Sequence, residues 1–329
     1  ELHTAEAIAD LGILKVRQYI SAKRTLIRTI QTTGLNRERV KEITDLYEKI
    51  AGLAEKYRIE LHVLYEYAYF LYNQRQYPLG IEKAERLQLY YQLDTTISQK
   101  EWGEVFNLLG TLYHCRRKFK KAENYFQQTL KIFRYLAKDN PDVYEAYVAF
   151  TCNNLADLLD DLNRKQEAEQ LYREALEIYR RLAKDNPVAY EADVATTCNN
   201  LASLLDSINQ KQEAEKLYRE ALEIYRCLSK DNPYAYEADV AGISNNLAVL
   251  LFFINRKQEA EKLFREALEI FRHLAKDNPS AYEADVATTC NNLASLLNSI
   301  NRKQEAEELY REALEIYRRL AKDNPVAYE

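Results

Sequence analysis

The residues able to do chemistry in this chain are few, and their spacing argues against catalysis. The four histidines, His3, His62, His114 and His273, are scattered, and none recurs with a Cys, Ser or carboxylate at a spacing that would let one group activate another. Cys152, Cys198 and Cys290 lie on a common 46-residue step, with Ser244 in the remaining slot. Equivalent positions in neighbouring repeats sit on the order of 10 Å apart, beyond the roughly 7 Å Cα reach of a disulfide. Cys115 and Cys227 have no CxxC or Cys/His neighbours. The expectation is therefore small buried thiols in a reducing compartment, with no metal and no cofactor. A different chemistry does recur, because Asn107, Asn153, Asn199, Asn245 and Asn291 also follow the 46-residue step. Each carboxamide offers one donor edge and one acceptor edge, which suits the backbone of an extended peptide. The same groups could instead tie neighbouring repeats together. Either way this is the chemistry of holding, and no enzyme is expected.

Composition agrees. The 329 residues are 47% hydrophobic and 29% charged, with only 7 Gly and 6 Pro, a balance that favours long helices over disorder. The net charge of -5 gives no global reason to expect nucleic acid or an acidic membrane surface. No apolar run approaches membrane-spanning length, and Glu1-Leu2-His3 does not open a signal peptide. A cytoplasmic location is expected. Met is absent even at position 1, and the chain stops at Tyr328-Glu329 between repeats with no polar cap, which reads as part of a longer protein.

The elements that position these residues follow from the repeat. Asp-Asn-Pro occurs at 139–141, 185–187, 231–233, 277–279 and 323–325, and Asn-Asn-Leu-Ala begins at 153, 199, 245 and 291. In the copy starting at Ala195, Cys198, Leu201, Ala202 and Leu205 form an apolar stripe of helical period, predicting a first helix from about 193 to 208. A polar turn at 209–212 leads to a second helix from about 213 to 230, with Ala214, Leu217, Tyr218, Ala221, Leu222 and Tyr225 facing inward. Asn232-Pro233 ends it, since proline cannot continue the hydrogen-bond ladder. One such hairpin cannot bury both faces, so neighbours must stack. The Arg and Glu residues of the second helices read as ordinary solvated charges.

On these residues the array resembles the tetratricopeptide repeat, with Leu201, Ala202 and Leu205 on the first helix and Ala214, Tyr218 and Ala221 on the second. The same registration fits Leu155/Ala156/Leu159, Leu247/Ala248/Leu251 and Leu293/Ala294/Leu297. It also fits Leu109/Gly110/Tyr113 with Ala122/Phe126, although Thr129 replaces the last Ala. A degenerate copy lies at Tyr67/Ala68/Leu71 with Gly80, Ala84 and Leu87. The 46-residue length, with its Asn-Pro turn, is most similar to the kinesin-light-chain subclass in an otherwise bacterial-looking array. The resemblance implies an all-α, right-handed α-solenoid. The expected divisions are an N-terminal helical pair at 1–60, a degenerate repeat at 61–102, and repeats at 103–148, 149–194, 195–240, 241–286 and 287–329. In the first of these, a helix from Ala5 to Thr32 closed by Gly34 precedes one over 37–57 capped by Asn36.

The resemblance also implies a concave groove lined by positions 2, 5, 9, 12 and 13 of each repeat, counted from Ala195. The Asn ladder occupies position 5, whereas the adjacent Asn154, Asn200, Asn246 and Asn292 suit a structural role. Asp157, Asp160, Asp161 and Asp206 make the early groove acidic. The repeat at 241–286 differs from its predecessor at twelve positions, four of them in the groove: Thr196 becomes Gly242, Ser203 becomes Val249, Asp206 becomes Phe252 and Ser207 becomes Phe253. Such an apolar cluster either marks an interface or fills a gap against the next repeat. Together these features point to a protein or peptide partner with a basic part and an apolar anchor. The face lacks the Lys and Arg of a carboxylate clamp. The alternative is self-assembly or a homodimer through the phenylalanines. The likeness to bacterial arrays places the chain as the sensor or scaffold part of a larger protein.

Overall fold

The computed structural model describes residues 2–32 and 36–323, and every regular element among them is an α-helix. The first six are α1 (Leu2–Thr32), α2 (Arg37–Tyr57), α3 (Val63–Asn73), α4 (Tyr77–Leu93), α5 (Gln99–Cys115) and α6 (Phe119–Asp139). Then come α7 (Pro141–Asp161), α8 (Lys165–Asp185), α9 (Pro187–Ser207), α10 (Lys211–Asp231), α11 (Pro233–Phe253), α12 (Lys257–Asp277), α13 (Pro279–Ser299) and α14 (Lys303–Asp323). Consecutive helices pack on one another from α1 to α6 and from α8 to α14, as expected of a helix-pair solenoid, and the chain divides into two compact units, 1–154 and 155–329, within α7.

Local chemistry explains the regularity. From α8 onward a single residue separates each second helix from the next first helix. Asn186 closes α8 by donating its backbone N–H to the Leu182 carbonyl, and its side chain accepts from the Ala189 N–H at 3.3 Å as the N-cap of α9. Pro187 then sits at the first helical position, where its missing N–H costs nothing. This corrects the first-helix start of about 193: α9 begins at Pro187, so the extra residues of the 46-residue unit lengthen both helices to 21 residues instead of forming a loop. Within the hairpins from α7–α8 to α13–α14 the reversal passes through a left-handed asparagine, with φ of 59° at Asn163, 65° at Asn209, 66° at Asn255 and 63° at Asn301. Asparagine tolerates that region better than most residues.

In unit 155–329 the predicted stripes form the core: Leu201, Ala202, Leu205, Ala214, Tyr218 and Ala221 are all buried, and Cys198 and Cys290 are fully so. Burial pushes both thiols up to about 12. The second helices carry a ladder that corrects the reading of their charges as merely solvated. Arg173 pairs with Glu213 at 2.8 Å, Arg180 with Glu220 at 2.7 Å and Arg226 with Glu266 at 2.7 Å. Arg219–Glu259, Arg265–Glu305 and Arg272–Glu312 continue the pattern, each Arg reaching the following repeat.

In unit 1–154, α1 and α2 pack together, and Asn36 caps α2 by accepting from the Arg39 N–H at 2.9 Å, as predicted; Gly34 lies outside the described residues. Arg24 on α1 grips Glu66 on α3, its Nε donating at 2.9 Å. The degenerate copy is well packed, with Tyr67, Ala68, Leu71, Ala84 and Leu87 fully buried. Gly110 allows close approach, since a Cβ there would come within 2.6 Å of the Phe126 ring. Cys152 is also fully buried, but Cys115 at the end of α5 is exposed, as is Cys227 on α10, which corrects the expectation of buried thiols at those two positions.

Candidate functional site

The face under consideration is built by the first helices, whose core stripe turns inward and leaves positions 2, 5, 9, 12 and 13 on the adjoining side. The Asn ladder is engaged between repeats. Asn154 donates to the Asn107 carboxamide oxygen, Asn246 to that of Asn199 and Asn292 to that of Asn245, each at 3.1 Å. These bonds bridge adjacent first helices and occupy the acceptor edges, so for Asn107, Asn199 and Asn245 the geometry supports the tying alternative. Asn199 spends a donor on Asn200 at 3.2 Å. Asn153 is buried, whereas Asn291 is exposed.

Position 9 proves to be half of a pair. Tyr172 on α8 donates to Asp157, and Tyr310 on α14 lies 2.9 Å from the Ser295 hydroxyl. Burial pushes the Tyr218 phenol up to about 12. Position 2 is paired in the same way, with Thr196 at 2.6 Å from the Tyr225 hydroxyl and Thr288 at 2.9 Å from that of Tyr317. In the repeat at 241–286 both partners change together. Val249 stands with Phe264, and Gly242 with Phe271. A buried phenol that loses its partner is costly, whereas replacing donor and acceptor together is nearly neutral. Two of the four groove differences thus change together with their second-helix partners, although a Cβ at Gly242 would meet nothing within 4 Å. Phe264 and Phe271 were already among the twelve differences, but groove positions alone gave no reason to pair them.

Phe252 and Phe253 have no such explanation. In the two preceding repeats position 12 is an aspartate in an ion pair, Asp160 with Lys165 and Asp206 with Lys211. Phe252 removes that carboxylate, and Lys257 reaches the Ser299 carbonyl at 3.4 Å instead. Phe252 is half-buried and Phe253 is 71% exposed, their ring centroids 5.7 Å apart. The Lys211 ammonium lies 5.9 Å from the Phe253 ring. Of the acidic residues, Asp157, Asp160 and Asp206 are therefore used within their own repeats, and Asp161 stands exposed on α7. His114, at position 12 of α5, lies tilted against Phe119, with ring centroids 6.0 Å apart and planes at 58°. Among the described residues no group of three or more His, Cys, Asp or Glu is placed to hold a metal ion, and no helix is long and apolar enough to cross a membrane.

Stacked helix pairs joined by side-chain ladders define a helical-repeat scaffold. The tetratricopeptide repeat models match residues 103–181, 194–231, 240–280 and 286–326, more than half of the chain, and the protein belongs to that family. Solved structures agree on the fold. The crystal structure of BtubC (BKLC) from P. vanneervenii is 27% identical, covering 76% of this chain and 91% of that one with a TM-score of 0.55. A Rap protein complexed with Competence and Sporulation Factor is 15% identical, covering 94% and 99% with a TM-score of 0.54. A Podosopora anserina putative kinesin light chain with nearly identical TPR-like repeats is 16% identical, covering 66% and 95% with a TM-score of 0.50. Comparison with curated proteins gave no match. The family is in general a non-catalytic scaffold for protein interactions, and the repeats support a protein-interaction scaffold in this chain.

Proposed function

We propose that this scaffold captures a peptide or helix on the first-helix face of α9, α11 and α13, with Phe252 and Phe253 as the anchor. The observation that carries the reading is the 71% exposure of Phe253 beside Phe252, in a repeat whose other groove differences change together with their second-helix partners. An aromatic pair left in water on a soluble protein is the usual mark of an interface. The partner presents an apolar side chain to the rings and a basic group toward Asp161 and the neighbouring carboxylates. The module serves as the sensing or regulatory part of a larger protein. A relative in fold, the Rap protein, was solved with Competence and Sporulation Factor bound, which fits use of such a stack for ligand capture.

The test is a peptide-display selection on the protein and on its Phe252→Asp/Phe253→Ser variant, which restores the residues of the preceding repeat. Sequences enriched on the first and lost on the second, with an unchanged melting curve, support capture at this face. Equal enrichment on both moves the interface elsewhere. Light scattering over a concentration series completes the test: association that the variant abolishes assigns the phenylalanines to a homodimer instead.

A further inference from the structure

The net charge of -5 conceals two units of opposite sign. Residues 1–154 hold 23 Lys and Arg against 19 Asp and Glu, net +4, whereas 155–329 hold 23 against 32, net -9. The excess in the first unit is concentrated at one place. Cys115-Arg116-Arg117-Lys118-Phe119-Lys120-Lys121 forms the turn between α5 and α6, and the equivalent turn between α3 and α4 carries Arg75. Arg75, Arg116, Arg117, Lys118 and Lys120 are all exposed, and none forms an ion pair among the described residues. The corresponding turns of the second unit behave differently, their arginines being paired: Arg164 with Glu167, Arg256 with Glu259 and Arg302 with Glu305. Arg75 and Arg117 also occupy the left-handed region, at φ 57° and 53°, where the later turns place asparagine. Cations are thus kept at a backbone position that disfavours them, and without carboxylates to neutralise them.

An aromatic strip runs into this cluster. On α3, Tyr69 is 51% exposed and lies 6.2 Å from Tyr72, which lies 6.1 Å from Tyr77 at the start of α4. Tyr77 in turn lies two residues beyond Arg75, past the turn between α3 and α4. Dense unpaired cations beside a row of ring faces are the two parts of a surface for single strands: cations track the phosphates and rings stack the bases. An acidic peptide would satisfy the cations but would leave the tyrosine faces without a matching partner.

We infer that the α3–α6 edge of residues 1–154 binds single-stranded nucleic acid, with phosphates on the Arg75 and Arg116–Lys120 cluster and a base on Tyr69. This goes beyond the partner-capture reading and lies in the other unit, so either can fail alone. The test measures fluorescence anisotropy of labelled dT20 and rU20 with the whole chain. With four phosphates neutralised, affinity falls about 50-fold between 50 and 200 mM salt. Arg116→Gln/Arg117→Gln/Lys118→Gln lowers the magnitude of the log–log salt slope by about two. Tyr69→Ala weakens binding at least about fivefold and leaves the slope unchanged. All of these residues are exposed, so melting curves of the variants overlay the parent. No binding at 50 mM salt overturns the inference. So does competition by poly-glutamate as effective as unlabelled dT20 together with an inert Tyr69→Ala, which assigns the edge to an acidic protein segment.

Discussion

At the scale of single residues the repeats act as internal mutants of one another. Tyr310 and Ser295, whose hydroxyls lie 2.9 Å apart, correspond to Phe264 and Val249 one copy earlier, exchanging a hydrogen-bonded pair for an apolar one. Phe264→Tyr alone would bury a hydroxyl against Val249 at a cost of about 1–3 kcal/mol. Adding Val249→Ser is expected to recover most of it, so a double-mutant cycle by urea unfolding should show a coupling of at least about 1 kcal/mol. A cycle that adds without coupling would mean the two sites do not share the bond. Ser244 is the counter-example. It fills a slot held elsewhere by Cys152, Cys198 and Cys290, and its buried hydroxyl has no hydrogen-bond partner. Ser244→Cys should therefore raise stability by about 1 kcal/mol in the same assay, a gain that an unpaired buried hydroxyl allows and a satisfied one does not.

At the scale of elements, helix identity and helix ends were legible to different degrees. The stripe through Cys198, Leu201, Ala202 and Leu205 and the Asn36 cap could be read from residue order, because side-chain period and capping are local properties. Asn-Pro was legible only as a stop. The same proline opens the next helix, and whether a loop or a new helix follows depends on packing that a local rule cannot see. The Arg–Glu ladder was hidden for a related reason, since its partners lie one repeat apart and acquire meaning only after stacking. Glu213 is held below its ordinary value by the hydrogen bond from Arg173. A carboxylate depressed in the folded state contributes stability above its unfolded pKa of about 4.3, and the contribution is lost as pH falls through the folded value. The pair is exposed and screened by salt, so Arg173→Gln should cost less than about 1 kcal/mol at pH 7. In urea titrations the cost should vanish once the pH has fallen below the folded value of Glu213. A penalty that persists in acid would assign Arg173 a packing role instead.

At the scale of the whole molecule, what the residue order concealed was a difference between units. A single net charge argued against polyanions, and only the division at 154/155 separates a positive part from a negative one. The Phe252–Phe253 pair, by contrast, was visible because its neighbours in the repeat are almost unchanged. Stacked repeats should also show stability that varies along the stack, because each pair gains burial only from its neighbours. Tyr218 and Leu222 on α10 are 3% and 4% exposed, whereas the equivalent Tyr310 and Leu314 on α14 are 36% and 49% exposed. At about 25 cal/mol per Å² of apolar surface, exposing half of a leucine and a third of a tyrosine forgoes on the order of 2 kcal/mol of local stabilisation. Native-state hydrogen exchange should therefore find the α14 amides opening tenfold or more faster than those of α10, a ratio corresponding to about 1.4 kcal/mol or more. Phe252→Asp/Phe253→Ser should leave that gradient in place, because Phe253 is exposed and forms no part of the core. Uniform protection from α9 to α14 would show that the unit opens as one cooperative block and that nearest-neighbour burial does not set its local stability.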